Sequence, residues 1–93
     1  MISLSQHVHP HPDVVDAELD GQETVLLHLH RKLYFSLNPT GTRIWQGLKK
    51  GLVLHEISRR LQQEFDVEPD HADRSTLSLV TELCEQELAQ PGR

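Results

Sequence analysis

The sequence predicts an α+β domain: a three-stranded antiparallel sheet followed by three helices. Three observations predict it. Apolar residues recur at about every second position between residues 14 and 37. The pair Asn38-Pro39 then stops that alternation. Beyond it, apolar residues are spaced by three and four, the period of a helix with one buried face. Strands first and helices second is the order of a fold with helices packed on one side of a small sheet.

Val14 to Leu19 is a short, mixed strand ending at Asp20-Gly21, a dipeptide that tolerates the positive φ of a tight hairpin. In Glu23 to His30, Val25, Leu27 and Leu29 fall on one face and Leu26, His28 and His30 on the other, the period of a strand. After a turn at His30-Arg31, which has no glycine, Leu33, Phe35 and Leu37 alternate with Lys32, Tyr34 and Ser36 to give a third strand. The three form a meander, which is stable once helices cover one of its faces.

Asn38 is a good N-cap, and Pro39 at the first helical position has no amide hydrogen to leave unpaired. Gly41, Ile44, Trp45 and Leu48 follow at helical spacing, and Lys49-Lys50-Gly51 supplies a basic last turn and a glycine stop. A second helix carries Leu54, Ile57, Leu61 and Phe65, with Glu56 and Arg60 paired on its outer side. Asp66 to Asp70 is a polar connection. Leu77, Val80, Leu83, Cys84 and Leu88 mark a third helix, and Pro91-Gly92 ends the order.

A chain of 93 residues, 37% hydrophobic and 25% charged, holds one core, so a single domain is expected. Residues 1–12 read as a flexible N-terminal arm and 13–90 as the folded unit. The formal net charge is −5 and the basic residues are scattered, which argues against nucleic acid as a partner. Two helices joined by a short turn after a sheet give a winged-helix-like outline. The third helix, where a DNA-reading helix would sit, nevertheless carries Asp70, Asp73, Glu82, Glu85 and Glu87.

The lone Cys84 cannot close an internal disulfide, and no apolar run reaches the roughly 18 residues that would span a bilayer. A cytoplasmic protein without a membrane partner is expected. His7, His9 and His11 alternate, as do His28 and His30, but no cysteine pair accompanies them, so neither a metal site nor a cofactor is expected. Cys84 sits on a regular apolar spacing beside Glu85, which disfavours a thiolate, and it reads as a packing residue. No phosphate-binding loop or paired catalytic carboxylates stand out, so the chain reads as a non-enzyme.

One group of residues carries a resemblance. The run LLHLHRKLYFSLNPTGTRIWQGL, the helix at Glu56-Ile57, the Glu64-Phe65-Asp66-Val67 helix end and a closing apolar helix resemble the PqqD-like family. This family comprises the recognition elements of pathways that modify ribosomally made peptides. The matching positions are Tyr34, Phe35, Leu37, Asn38, Thr40, Gly41, Ile44 and Trp45, and the likeness runs from about Val14 to Leu88. Val53 stands where the second helix would ordinarily begin with a capping Ser or Thr, and Glu87 replaces a common Gly.

The resemblance implies a binding module that holds the leader segment of a precursor peptide as a strand added to the third strand, beside the third helix. The physics is β-augmentation, in which a free sheet edge offers backbone groups and apolar pockets select side chains. By this resemblance the docking backbone is Lys32, Leu33, Tyr34, Phe35 and Ser36, and the groove wall is Leu77, Val80, Thr81 and Cys84. The implied partners are the precursor peptide with the leader peptidase and cyclase of a lasso-peptide pathway or, as the alternative, a radical SAM enzyme, as in pyrroloquinoline quinone synthesis.

Overall fold

In the computed structural model, which describes residues 2–20 and 22–92, the expected meander is β2 (Val14–Leu19), β3 (Glu23–His28) and β4 (Leu33–Leu37), antiparallel in that order. Its register aligns Asp16, Leu26 and Phe35 in one cross-strand row and Val15, Leu27 and Tyr34 in the next. Successive side chains point to opposite faces, so the first row looks inward and the second outward. Leu26 is fully buried, whereas Tyr34 is 69% exposed.

The two hairpin turns are built differently. Asp20 adopts φ 57°, the left-handed conformation expected of the first turn, while Gly21 lies outside the described residues. β3 ends at His28, two residues earlier than the alternation suggests, and Leu29 is left exposed. The glycine-free turn closes because Lys32 itself takes φ 56° and its amide donates to the His28 carbonyl at 2.8 Å. His28 Nδ1 accepts the Arg31 amide at 3.3 Å, so the imidazole stands in for a turn residue.

The helices are α1 (Pro39–Lys49), α2 (Leu54–Phe65) and α3 (Pro69–Glu85). Asn38 Oδ1 accepts the Gly41 amide at 2.8 Å, the cap expected from Asn-Pro. α1 crosses the inner face of the sheet. Trp45 Nε1 donates to Asp16 Oδ2 at 2.6 Å, Lys49 Nζ pairs with the same oxygen at 2.9 Å, and Thr24 Oγ1 donates to Thr42 Oγ1 at 3.0 Å in full burial. Burial acts to raise the Asp16 carboxyl. The hydrogen bonds from Lys49 and Trp45 and the Lys49 charge outweigh it, and the group lies below its ordinary value.

Gly47 is where α1 meets α2: a Cβ there would lie 2.6 Å from Ile57 Cγ1, so only glycine fits this crossing. Leu48, Leu54, Ile57 and Leu61 fill the space between the two helices. Thr76, on the inward side of α3, is fully buried and its Oγ1 has no hydrogen-bond partner among the described residues.

Residues 2–12, expected as a flexible arm, are seated on the domain. β1 (Val8–Pro10) pairs antiparallel with β5 (Ala89–Pro91), a strand the sequence pattern did not reveal. The His11 amide donates to the Leu88 carbonyl at 3.0 Å and Gly92 to that of His7 at 2.7 Å, while Val8 is fully buried. A three-residue strand that ends in a proline shows no readable alternation, and its partner lies some eighty residues away. That pairing is invisible to local patterning.

The same arm explains Val53. It stands at the N-cap of α2 without a side-chain hydrogen bond, and the Leu54 and His55 amides donate instead to the Gln6 and Leu4 carbonyls at 3.0 and 2.9 Å. The first-turn amides that lack partners within the helix are thus satisfied by backbone from the arm.

Glu87 is explained by the end of α3. The Leu88 amide donates to the Leu83 carbonyl at 2.8 Å and the Glu87 amide to that of Cys84 at 3.1 Å, with Glu87 at φ 60°. This is the Schellman arrangement, whose left-handed position ordinarily holds glycine. Leu88 therefore lies beyond the helix and enters the core from the turn. The polar connection before α3 is also shorter than expected, because Pro69 is already helical. No helix among the described residues is long and apolar enough to cross a membrane.

Candidate functional site

β4 is an edge strand, paired with β3 on one side only. Beyond its free edge a cleft of about 780 Å³ opens between β4, the start of α1 and one face of α3. Its floor comes from the inner face of the sheet and the helices behind it. Leu37, Ile44, Leu61 and Ala72 are buried there, and Phe35, Phe65, Val67 and Leu79 are half-buried. Its rim is polar: Asn38 and Thr40 at the head of α1, and His71, Arg74, Ser75, Ser78 and Glu82 along α3.

Local structure sets this arrangement. Alternation in β4 turns Phe35 and Leu37 inward, and Asn38-Pro39 ends the strand so that α1 starts at the mouth of the cleft. On α3 the inward positions Ala72, Thr76, Val80 and Leu83 pack on the core, and the next face round the helix carries residues 71, 74, 75, 78 and 82 into the cleft. An apolar floor, a polar rim and an open strand edge suit an extended peptide: its backbone can pair with β4 while alternate side chains enter the floor.

The residues singled out from sequence are distributed as follows. Phe35 and Ser36 line the cleft. Leu33 is half-buried against the core, Lys32 lies in the preceding turn, and Tyr34 projects from the opposite face of the sheet in the row of Val15 and Leu27. On α3, Leu77 and Thr81 line a shallower hollow that meets the cleft at Ser78 and Glu82. Val80 is fully buried, and Cys84 is half-buried against the core, where burial pushes its thiol up.

The four helix residues named from sequence therefore lie on a face rotated by roughly 140° from the one lining the cleft, taking 100° per residue. The cleft-lining residues that sequence reasoning passed over are His71, Arg74, Ser75, Ser78, Leu79 and Glu82 on α3, with Phe65 and Val67 before it. One signal was present. Once Ala72, Thr76, Val80 and Leu83 are taken as the buried stripe, the cleft residues are its flank.

The histidines divide into separate places. His11 and His28 approach to 4.8 Å between ring centroids, and His30 Nε2 lies 3.3 Å from Asp13 Oδ2. Nδ1 of His11 accepts the Asp13 amide at 3.0 Å, so the ring serves the turn that brings the arm onto the sheet. No group of three or more His, Cys, Asp or Glu among the described residues is arranged to hold a metal ion.

Comparison with known proteins adds to this geometry. The family model described as coenzyme PQQ synthesis protein D (PqqD) matches residues 23–89. A structure solved as TbiB1 in complex with the TbiA(beta) leader peptide is 33% identical, with 87% of this chain and 93% of that one covered and a TM-score of 0.81. A second, lasso peptide synthetase B1 complexed with the leader peptide, is 32% identical, with coverages of 91% and 99% and a TM-score of 0.82. Among the curated proteins compared, none matches.

Proposed function

The chain belongs to the PqqD family, and on that premise we propose that it binds the leader segment of a ribosomally made precursor peptide. The peptide adds as a strand to the free edge of β4, the third strand of the meander, and seats alternate side chains in the cleft against α3. The observation that carries this reading is the conjunction of an unpaired strand edge with an apolar-floored cleft of about 780 Å³. Both similar structures, solved with leader peptides bound, support it.

The protein is a docking module that hands the precursor to a separate leader peptidase and then a cyclase, as in lasso-peptide formation. Backbone pairing along β4 supplies affinity with little sequence preference, and the floor at Phe35, Phe65 and Leu79 selects side chains. Titrating the fluorescein-labelled leader of the cognate precursor and reading polarisation gives saturable binding, abolished by Phe35→Asp. Adding the protein to peptidase and precursor accelerates leader removal, and an unchanged cleavage rate would sink the delivery role.

The PQQ-synthesis description of the matching family model favours a second reading, in which the same cleft presents a precursor to a radical SAM enzyme. Modification of the precursor by such an enzyme, dependent on this protein, would replace the lasso assignment while leaving the docking site unchanged.

A further inference from the structure

Two charges face the cleft without partners. Arg74 and Glu82 both line it, both are exposed, and among the described residues neither makes an ion pair or side-chain hydrogen bond. Other arginines nearby are engaged: Arg43 with Glu64, Arg60 with Glu56, and Arg31 with Glu87. Arg74 and Glu82 stand at two ends of one helix face, with Ser78 and Leu79 between them over the apolar floor. Their separation is two turns, about 12 Å at 1.5 Å per residue.

Four residues of extended chain cover about 13 Å and return the side chain to the same face. An added strand held by backbone bonds and apolar pockets alone can slip by two residues and still present an apolar face. Opposite charges at the two ends of the cleft remove that freedom: one register pairs both, and a reversed chain sets like charges together.

We infer that Arg74 and Glu82 fix the register and direction of the docked peptide. The peptide carries an acidic residue facing Arg74 and a basic residue four positions away facing Glu82, with an apolar residue between them entering the floor by Leu79. This inference rests on the peptide-docking reading above and adds the charge pattern of the ligand and the two residues that read it. His71 stands on the rim at the Arg74 end, and its imidazole lines the same entrance.

The test uses short fluorescein-labelled peptides of alternating Leu and Ser in which two same-face positions, four apart, are Glu then Lys, Lys then Glu, or both Gln. Each is titrated into the wild-type protein and the double charge swap Arg74→Glu/Glu82→Arg, with polarisation as the readout and circular dichroism confirming the fold. Each matched pair is worth about threefold, so the wild type binds one charged order about tenfold more tightly than the Gln peptide. The double swap prefers the other order, and about 1 M salt erases both preferences.

Near-equal binding of all three peptides by the wild type, or an order of preference that survives the swap, overturns the inference while leaving peptide docking intact. Failure of every peptide to bind removes the docking reading and this inference together.

Discussion

The two ends of this molecule treat unpaired backbone in opposite ways. Where α2 begins, the Leu54 and His55 amides have no partner in their own helix, and the arm supplies the Gln6 and Leu4 carbonyls while β1 closes on β5. Along β4 the outer edge is also without a partner, yet no part of the described chain covers it. The first region is sealed by segments distant in sequence; the second is left beside an apolar cleft. An uncovered edge is an aggregation hazard, so one left open beside an apolar floor supports the strand addition proposed above.

The contrast predicts that damage at the sealed end shows in stability and damage at the open end in binding. The largest effect is expected from deleting residues 1–10, which exposes the α2 amides and removes the buried Val8. Lost burial and unsatisfied amides together cost about 3 kcal/mol, enough to lower Tm by 10 °C or more in a domain of this size. A melting curve within about a degree of the full chain would show that the arm seals nothing.

Next comes Leu79→Arg, placed on the floor of the open end. It should weaken leader binding at least tenfold, about 1.4 kcal/mol, while Tm moves by only a few degrees. A large fall in Tm with unchanged affinity would reverse the assignment of the two regions.

A smaller effect, of opposite sign, is expected from Glu87→Gly at the turn leading α3 into β5. Relief of the left-handed conformation is worth about 1 kcal/mol, and loss of the exposed 2.9 Å pair with Arg31 offsets a part of it. Thermal denaturation should show Tm rising by a few degrees; a fall would mean that the ion pair outweighs the backbone.

The smallest concerns Asp16, which ties β2 to α1 away from both ends. Its carboxyl is lowered in the folded protein, so its stabilising contribution is present above the unfolded value of about 3.9 and is lost as pH falls through the folded one. Asp16→Asn should be less stable than wild type at neutral pH, and the gap should narrow below about pH 4. Parallel stability curves at all pH values would show that the carboxylate charge plays no part.

Much of the fold was legible because its determinants are local. Alternation placed β2, β3 and β4, Asn38-Pro39 placed the start of α1, and Gly51 with φ 78° ended it after Lys49-Lys50. The departures at Val53 and Glu87 were visible as oddities in sequence, but their resolution was not. One is answered by carbonyls from residues 4 and 6, the other by a backbone conformation that the residue type does not announce.

The lining of the cleft was legible only in part. Phe35 and Ser36, which the family resemblance placed on the docking backbone, line it. On α3, however, Leu77, Leu79, Val80, Leu83 and Cys84 make an apolar stripe too broad to reveal which edge meets the core.

By itself the sequence determined the meander, the helix order and the family, since hydrophobic period and capping chemistry act over a few residues. Tertiary structure alone decided that the arm caps α2 and pairs with β5, and that residues 71, 74, 75, 78 and 82 of α3 face the open edge of β4. The physical reason is common to both. Pairing across eighty residues and the rotation of a helix about its axis are set by packing against other elements, and no local pattern encodes where those elements will lie.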